Sequence, residues 1–162
     1  MDILKIAVAG IGTVGSGVLS ILNQNKKLIE KKINKKIIIS AIAARKIKKL
    51  KFKPSYQTKI FRDAKDFVDF SDYDVLVELI GGDEGVSKEI VIDALKKNKN
   101  VVTANKALIA KHGLKLFKLA EKSSSNIGFE AAVAGGVPII KILNDFLFSN
   151  KIKKVFGILN GT

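Results

Sequence analysis

An α/β fold built on a doubly wound parallel sheet is what this sequence predicts, and three observations predict it. Short apolar runs rich in Ile, Val and Ala alternate with longer segments of helical periodicity. The short runs are apolar on both faces, as strands covered by helices on both sides must be. Between the first run and the first periodic segment stands a glycine cluster, Gly10-Ile11-Gly12-Thr13-Val14-Gly15.

The elements follow in order. Lys5–Gly10 reads as a compact strand. Val14 to about Lys32 reads as one helix, with Val14, Val18, Leu22, Leu28 and Ile29 at helical spacing and a polar end. Lys36–Ala44, rich in Ile, is a second buried strand. The basic stretch 45–59, which carries a proline, reads as loop and irregular edge, and Asp63–Phe70 as a short helix. Asp74–Ile80 is a third strand, ended by Gly81 and Gly82. Ser87–Asn98 is a helix capped by its serine, with lysine in the last turn to suit the helix dipole. Asn100–Thr103 is a brief strand, Asn105–Lys122 a helix broken at Gly113, and Ile127–Ala131 a strand. Pro138–Phe148 begins with proline at a first-turn position and reads as a helix, and Lys151–Leu159 as a last strand.

Bulk composition narrows the function classes. A chain of 162 residues with 47% hydrophobic residues and a mean hydropathy of +0.18 is globular, one domain by length. The net charge of +14 comes from 29 basic against 15 acidic residues. Only Arg45 and Arg62 are arginines, and the lysines are scattered, mostly in pairs at element ends. A nucleic-acid binder relies on arginine for base edges and bidentate phosphate contact, so the charge reads as solvated surface and no nucleic-acid partner is expected. The absence of cysteine excludes disulfides, thiolate nucleophiles and sulfur-ligated zinc. It also fits a cytoplasmic protein. No apolar run approaches the ~20 residues of a membrane helix, so no membrane association is expected. The opening stretch is no signal peptide, because Asp2 spoils a positive start and glycines would weaken its helix.

In a doubly wound sheet, ligands bind at the carboxyl ends of the strands, so the residues just after each strand carry the chemistry. After the first strand, Gly10 permits a tight turn, Gly12 lets the backbone approach a pyrophosphate, and Gly15 lets helix and strand pack closely. In that setting the cluster is a Rossmann-type dinucleotide fingerprint. The second strand ends in Ala43-Ala44-Arg45-Lys46, with bases where an NAD site places an acid for the ribose hydroxyls. Two cations there suit the extra phosphate of NADP. After the third strand, Gly81-Gly82-Asp83 would pass under the cofactor. After the fourth, Thr103-Ala104-Asn105-Lys106 would place Lys106 near its reactive end, to orient a substrate oxygen or move its proton. Glu130 lies inside an apolar strand and needs a partner, either a cation or hydrogen-bond donors. The turn after it offers backbone carbonyls, which are hard ligands for a hard cation. His112, the only histidine, is given no role.

These motifs together resemble the homoserine dehydrogenase family. The matching pieces are "GIGTVGSGV", "DVLVELIGG", "VVTANKALIA", "GFEAAVAGGVPIIK" and the terminal "GILNGT", in family order from Gly10 to Thr162. The resemblance implies hydride transfer between L-homoserine and L-aspartate 4-semialdehyde, with NADPH or NADH, in threonine and methionine biosynthesis. It implies that Thr13 and Val14 contact the pyrophosphate region, that Arg45 reads the 2′-phosphate, and that Lys106 is one of two catalytic lysines. It further implies a monovalent cation, usually sodium, held by Glu130 and by carbonyls of Val133, Gly135 and Val137. The expected cofactor contacts are thus Gly10, Ile11, Gly12, Thr13, Val14, Gly15, Ala44, Arg45, Lys46, Gly81, Gly82, Thr103, Ala104 and Lys106. The family continues past the point where this sequence stops. Residues 1–137 are therefore expected to form the dinucleotide-binding domain, and 138–162 the first helix and strand of an incomplete second, α+β domain. The second lysine and the acids that bind the substrate's amino group would lie further on, so this chain is expected to bind cofactor with little turnover. A homodimer is implied for the full-length enzyme. Two other readings compete: another Rossmann dehydrogenase family, and a basic nucleotide- or nucleic-acid-binding module.

Overall fold

A computed structural model of the chain describes residues 2–45, 55, 57–135 and 137–157. Six strands form one sheet: β1 (Asp2–Ala9), β2 (Lys35–Ala43), β3 (Lys59–Phe61), β4 (Val75–Glu78), β5 (Asn100–Thr103) and β6 (Ile127–Gly128). Their order is β3-β2-β1-β4-β5-β6 and every pairing is parallel. The chain therefore builds outward from β1 in one direction, then crosses back to build outward in the other. That reversal is the switch point of a doubly wound, Rossmann-type sheet, as expected.

Helices cover both faces. On one, α1 (Thr13–Gln24) and α2 (Lys26–Ile33) bury Leu19, Leu22 and Ile29 against Ile6, Val8, Ile37, Ile39, Ile42 and Val77. On the other, α3 (Val86–Lys96) and α4 (Lys106–Lys122) pack Ile90, Leu95, Leu108 and Leu116 against Ala7, Ala9, Ala41, Ala43, Leu76 and Val101. Ile39 and Ile42 share a face although they differ in parity. The cause is a bulge: Ile6 pairs with Ile39 but Ala7 with Ala41, so Ser40 is an extra residue and the side-chain alternation resets there.

Several sequence-based elements are corrected. The first helix is two, because the chain leaves helical geometry at Asn25 (φ −100°, ψ 14°), a residue whose side chain competes with the backbone. The stretch 45–59, expected to be irregular, ends in β3. This strand is held by Thr58, whose hydroxyl donates to the Ile39 carbonyl, and by Phe61, which packs edge-on against Phe67 and Phe70. The expected helix at 63–70 is a single 3₁₀ turn, Ala64–Phe67, capped by Asp63. Gly85, not Ser87, occupies the cap position of α3, and Ser87 is buried inside the first turn. The helix α4 runs through Gly113 unbroken, since a helical glycine weakens the ladder without interrupting it. The strand expected at 127–131 stops at Gly128. Phe129 turns out of the sheet to pack its ring, tilted by 44°, against Phe117 of α4, and Glu130–Ala132 form a 3₁₀ turn. After Pro138, helix α5 (Ile139–Lys141) continues as a π-type segment, Ile142–Phe146, ending two residues before the expected Phe148. Of the last strand expected at Lys151–Leu159, residues 151–157 are exposed and not a strand, with no described strand beside them to pair with, and 158 and 159 lie outside the described residues.

Candidate dinucleotide site

At the switch point, the loop after β1 turns sharply. Gly10 has φ +96° and its N–H donates to the Ala43 carbonyl, which ties the end of β1 to the end of β2. A Cβ on Gly10 would lie 2.7 Å from the Leu79 carbonyl, and one on Gly15 would lie 2.0 Å from the Gly10 oxygen. Both glycines are thus required by packing. Gly12 differs: a Cβ there would meet nothing within 4 Å. Gly12 also caps α1 without any side-chain hydrogen bond, so among the described residues no side chain caps the first-turn N–H groups. Open space in front of a bare helix N-terminus is the geometry that suits a phosphate.

This space belongs to a cleft of about 940 Å³. Its lining includes Gly10, Ile11, Gly12, Ala44 and Arg45 from the expected set, together with Leu79, Ile80 and Val86 from the far side of the switch point. Thr13 and Val14 stand next to it, exposed, in the first turn of α1. Arg62 lines it as well, so both arginines of the chain face one cleft. Sequence reasoning missed Arg62 because its position depends on β3, a three-residue strand. Neither guanidinium forms an ion pair or hydrogen bond with a described residue. Lys46 lies outside the described residues. Asp63 is the one acid of the lining, and its carboxylate is engaged in accepting from the Lys65 N–H at 2.9 Å.

Gly81, Gly82, Thr103, Ala104 and Lys106 sit at the neighbouring strand ends, outside the cleft lining. Both Gly81 and Gly82 have positive φ, which lets the chain turn twice in succession. Lys106 is exposed at the first position of α4 and has no hydrogen bond or ion pair among the described residues. Its helix is capped by Asn105, whose side-chain oxygen accepts from the Leu108 N–H. A second residue that sequence reasoning missed is Glu78, the last residue of β4. It is 0% exposed and accepts hydrogen bonds from Ile80 N, Gly81 N and the Thr103 hydroxyl.

The following loop is pinned to α4 by ion pairs. Lys111 lies 2.8 Å from Asp83 and 3.0 Å from Glu84. Hydrogen bonding to Lys111 holds the Asp83 carboxyl below its usual range, and hydrogen bonds from Lys88 and Lys111 bring Glu84 down to about 2. His112, for which no role was expected, contacts Glu84 at 3.0 Å.

Glu130 is half-buried, and it does find donors: its two carboxylate oxygens accept from the Ile140 and Lys141 N–H groups at 3.1 Å each. Of the carbonyls expected beside it, that of Val137 accepts from Ile139 N, while those of Val133 and Gly135 accept from no described residue. Among the described residues there is no cluster of three or more His, Cys, Asp or Glu suited to a metal ion. Nor is any described helix long and apolar enough to cross a membrane.

Comparison with known proteins now adds to this geometry. The sequence model of the family described as "Homoserine dehydrogenase, NAD binding domain" matches residues 10–130. A homoserine dehydrogenase of Neisseria gonorrhoeae is 42% identical over the whole chain, which spans 37% of that relative's length. The crystal structure of a homoserine dehydrogenase from Thiobacillus denitrificans superposes with a TM-score of 0.80 at 36% identity. The match covers 94% of this chain and 35% of that one. A hyperthermophilic archaeal homoserine dehydrogenase solved in complex with NADPH matches with a TM-score of 0.71 at 25% identity, over 87% of this chain and 48% of that one. The alternative of a different Rossmann dehydrogenase family is thereby excluded: this chain, with its NAD-binding domain, belongs to the homoserine dehydrogenase family.

Proposed function

We propose that this chain is the cofactor-binding part of an oxidoreductase that interconverts L-homoserine and L-aspartate 4-semialdehyde, and that it prefers NADP to NAD. The observation that carries the cofactor preference is the pair of guanidinium groups, Arg45 and Arg62, unpaired among the described residues, on one cleft whose only acid among the described residues accepts from a backbone N–H. A 2′-phosphate gains from such cations, whereas NAD's ribose hydroxyls gain from a free carboxylate. The archaeal relative bound to NADPH supports the same reading.

In this reading Gly12 and the first turn of α1 receive the pyrophosphate, and Arg45 and Arg62 hold the 2′-phosphate. Lys46 would add to that charge. A bound nicotinamide dinucleotide supplies the hydride. Lys106 Nζ orients the substrate's carbonyl oxygen and delivers the proton that reduction to the alcohol requires. Glu130 and the carbonyls of Val133, Gly135 and Val137 hold a monovalent cation, sodium in this proposal. Support for that comes from the two carbonyls that no described donor engages. Residues 1–137 act as the dinucleotide-binding domain, and 138–162 open a second domain that completes the substrate site. This chain alone would then bind cofactor with little turnover. The whole enzyme would act in the cytoplasm as a homodimer, in threonine and methionine biosynthesis, and without nucleic acid or membrane partners.

Fluorescence titration with NADPH and NADH tests the reading. NADPH is expected to bind more tightly, and Arg45→Ala to erase most of the difference. Absence of NADPH binding, or an unchanged preference in Arg45→Ala, overturns it.

A further inference from the structure

Glu78 is a fully buried carboxylate that none of the roles above uses. No lysine or arginine among the described residues pairs with it. A buried charge without a counter-ion is unfavourable unless hydrogen bonds replace its water, so its donors carry the argument. They come from the turn after β4 and from the end of β5. One oxygen accepts from Ile80 N at 2.8 Å and Gly81 N at 3.3 Å, and the other from the Thr103 hydroxyl at 2.6 Å. Glu78 and Thr103 are the last residues of adjacent strands and lie directly opposite each other. The Thr103 oxygen in turn accepts from Asn105 N at 3.0 Å, and the Asn105 amide donates to the Gly82 carbonyl at 2.6 Å. The bonds close a ring that joins the glycine turn after β4 to the turn that carries Lys106 after β5.

We propose that Glu78 is a positioning residue that locks these two turns into one unit, fixing Lys106 relative to the part of the site that receives the nicotinamide end of the cofactor. The proposal rests on the cofactor reading above. Only a carboxylate accepts at both ends of its side chain; glutamine offers one acceptor and one donor. Facing Thr103, whose oxygen already accepts from Asn105, glutamine leaves the hydroxyl proton without an acceptor. Glu78→Gln therefore keeps shape and one arm of the ring while breaking the other. The ring also sits at the carboxyl ends of β4 and β5, the ligand-binding edge of such a sheet.

The test compares Glu78→Gln, Thr103→Val and Thr103→Ser in the full chain. Three quantities are read: NADPH affinity, affinity for 2′-phospho-ADP-ribose (which lacks the nicotinamide), and amide hydrogen exchange at residues 80–82 and 104–108. Glu78→Gln and Thr103→Val are expected to weaken NADPH by about three- to tenfold, the loss of one hydrogen bond. They should leave 2′-phospho-ADP-ribose within about twofold and speed exchange in both turns, while Thr103→Ser matches wild type. The double variant Glu78→Gln/Thr103→Val should weaken NADPH no more than either single change. Faster exchange at 80–82 alone, or equal weakening of both ligands, overturns the proposal. Should wild type bind neither ligand, the cofactor reading fails, and the exchange measurement still decides whether the two turns are coupled. If Glu78→Gln does not fold, the Thr103 pair carries the same comparison.

Discussion

Gly12→Ala separates the two jobs that glycines perform in the loop after β1. A methyl at Gly12 enters open space, and its backbone (φ −83°, ψ −155°) suits alanine. Alanine is a poorer helix cap than glycine by up to about 1 kcal/mol, and this is offset by about 0.4–1 kcal/mol from a less flexible unfolded chain. The net change is near zero, so Tm is expected to move by less than about 2 °C. The same methyl at Gly15 would lie 2.0 Å from the Gly10 oxygen, well inside contact distance, and the nearest atoms are backbone with no side chain to swing away. Separating helix and strand to relieve it costs about 1–3 kcal/mol, or a Tm lower by roughly 3–10 °C. Cofactor affinity should follow the opposite order of cause. Gly12→Ala occupies the space in front of the helix N-terminus and should weaken NADPH by about tenfold or more at wild-type stability. Thermal melts and fluorescence titration of the two variants are the assay. A Gly12→Ala protein that melts like wild type and binds NADPH as tightly would refute the assignment of this loop to the pyrophosphate.

Three further outcomes are expected. Arg62→Ala should weaken NADPH more than NADH, in the same sense as Arg45→Ala and by about tenfold, as removal of one charge-assisted contact predicts; equal losses for both cofactors would place Arg62 elsewhere. Tyr73 is 1% exposed, and its phenol is pushed up to about 12, by burial first and then by Asp93. Between pH 10 and 12 the unfolded tyrosine releases its proton while the folded one keeps it, so stability is lost as pH rises through that window, by about 2–3 kcal/mol at most. Melts of wild type against Tyr73→Phe at pH 9 and 11.5 measure this term, and a Tyr73→Phe protein with the same alkaline decline would discard it. Asn105→Ala removes the cap of α4 together with its contacts to Gly82 and Ser87, and should cost about 1–2 kcal/mol, seen as a lower denaturant midpoint.

Where residues repeat with a period, the sequence was readable. Five of the six strands and the helices α1, α3 and α4 announce themselves by apolar spacing, and the glycine cluster places the switch point. The misreadings share a cause: each depends on a neighbour distant in sequence. β3 is too short to show alternation, and it exists because it pairs with β2 and tucks Phe61 among other rings. Arg62 reaches the cleft only because β3 lies there. Glu78 was read as part of the strand Asp74–Ile80 with no role of its own, since nothing in the chain order reveals that Thr103 stands opposite it. Glu130 was recognised as an acid in need of a partner. The backbone donors that supply one belong to a helix ten residues later, which spacing alone does not bring back to it.

In the function proposed above, selectivity at the strand ends rests on the distribution of satisfied and unsatisfied charge. Each acid there is already committed: Glu78 to three donors within its ring, Asp63 to the Lys65 N–H, and Asp83 and Glu84 to Lys111. The cations of the cleft, Arg45 and Arg62, have no such commitment among the described residues. A ligand that enters would therefore meet two guanidinium groups with no ion-pair partner among the described residues and a bare helix N-terminus, with Asp63 the one carboxylate on the lining. Under the function proposed above, such a site would distinguish anions by the spacing of their charges, one at Gly12 and one near the end of β2, which a ligand with a single phosphate would not satisfy. The net charge of +14 would contribute little to this discrimination, because scattered lysines attract any anion, whereas in the proposed reading the two arginines set where the second phosphate sits.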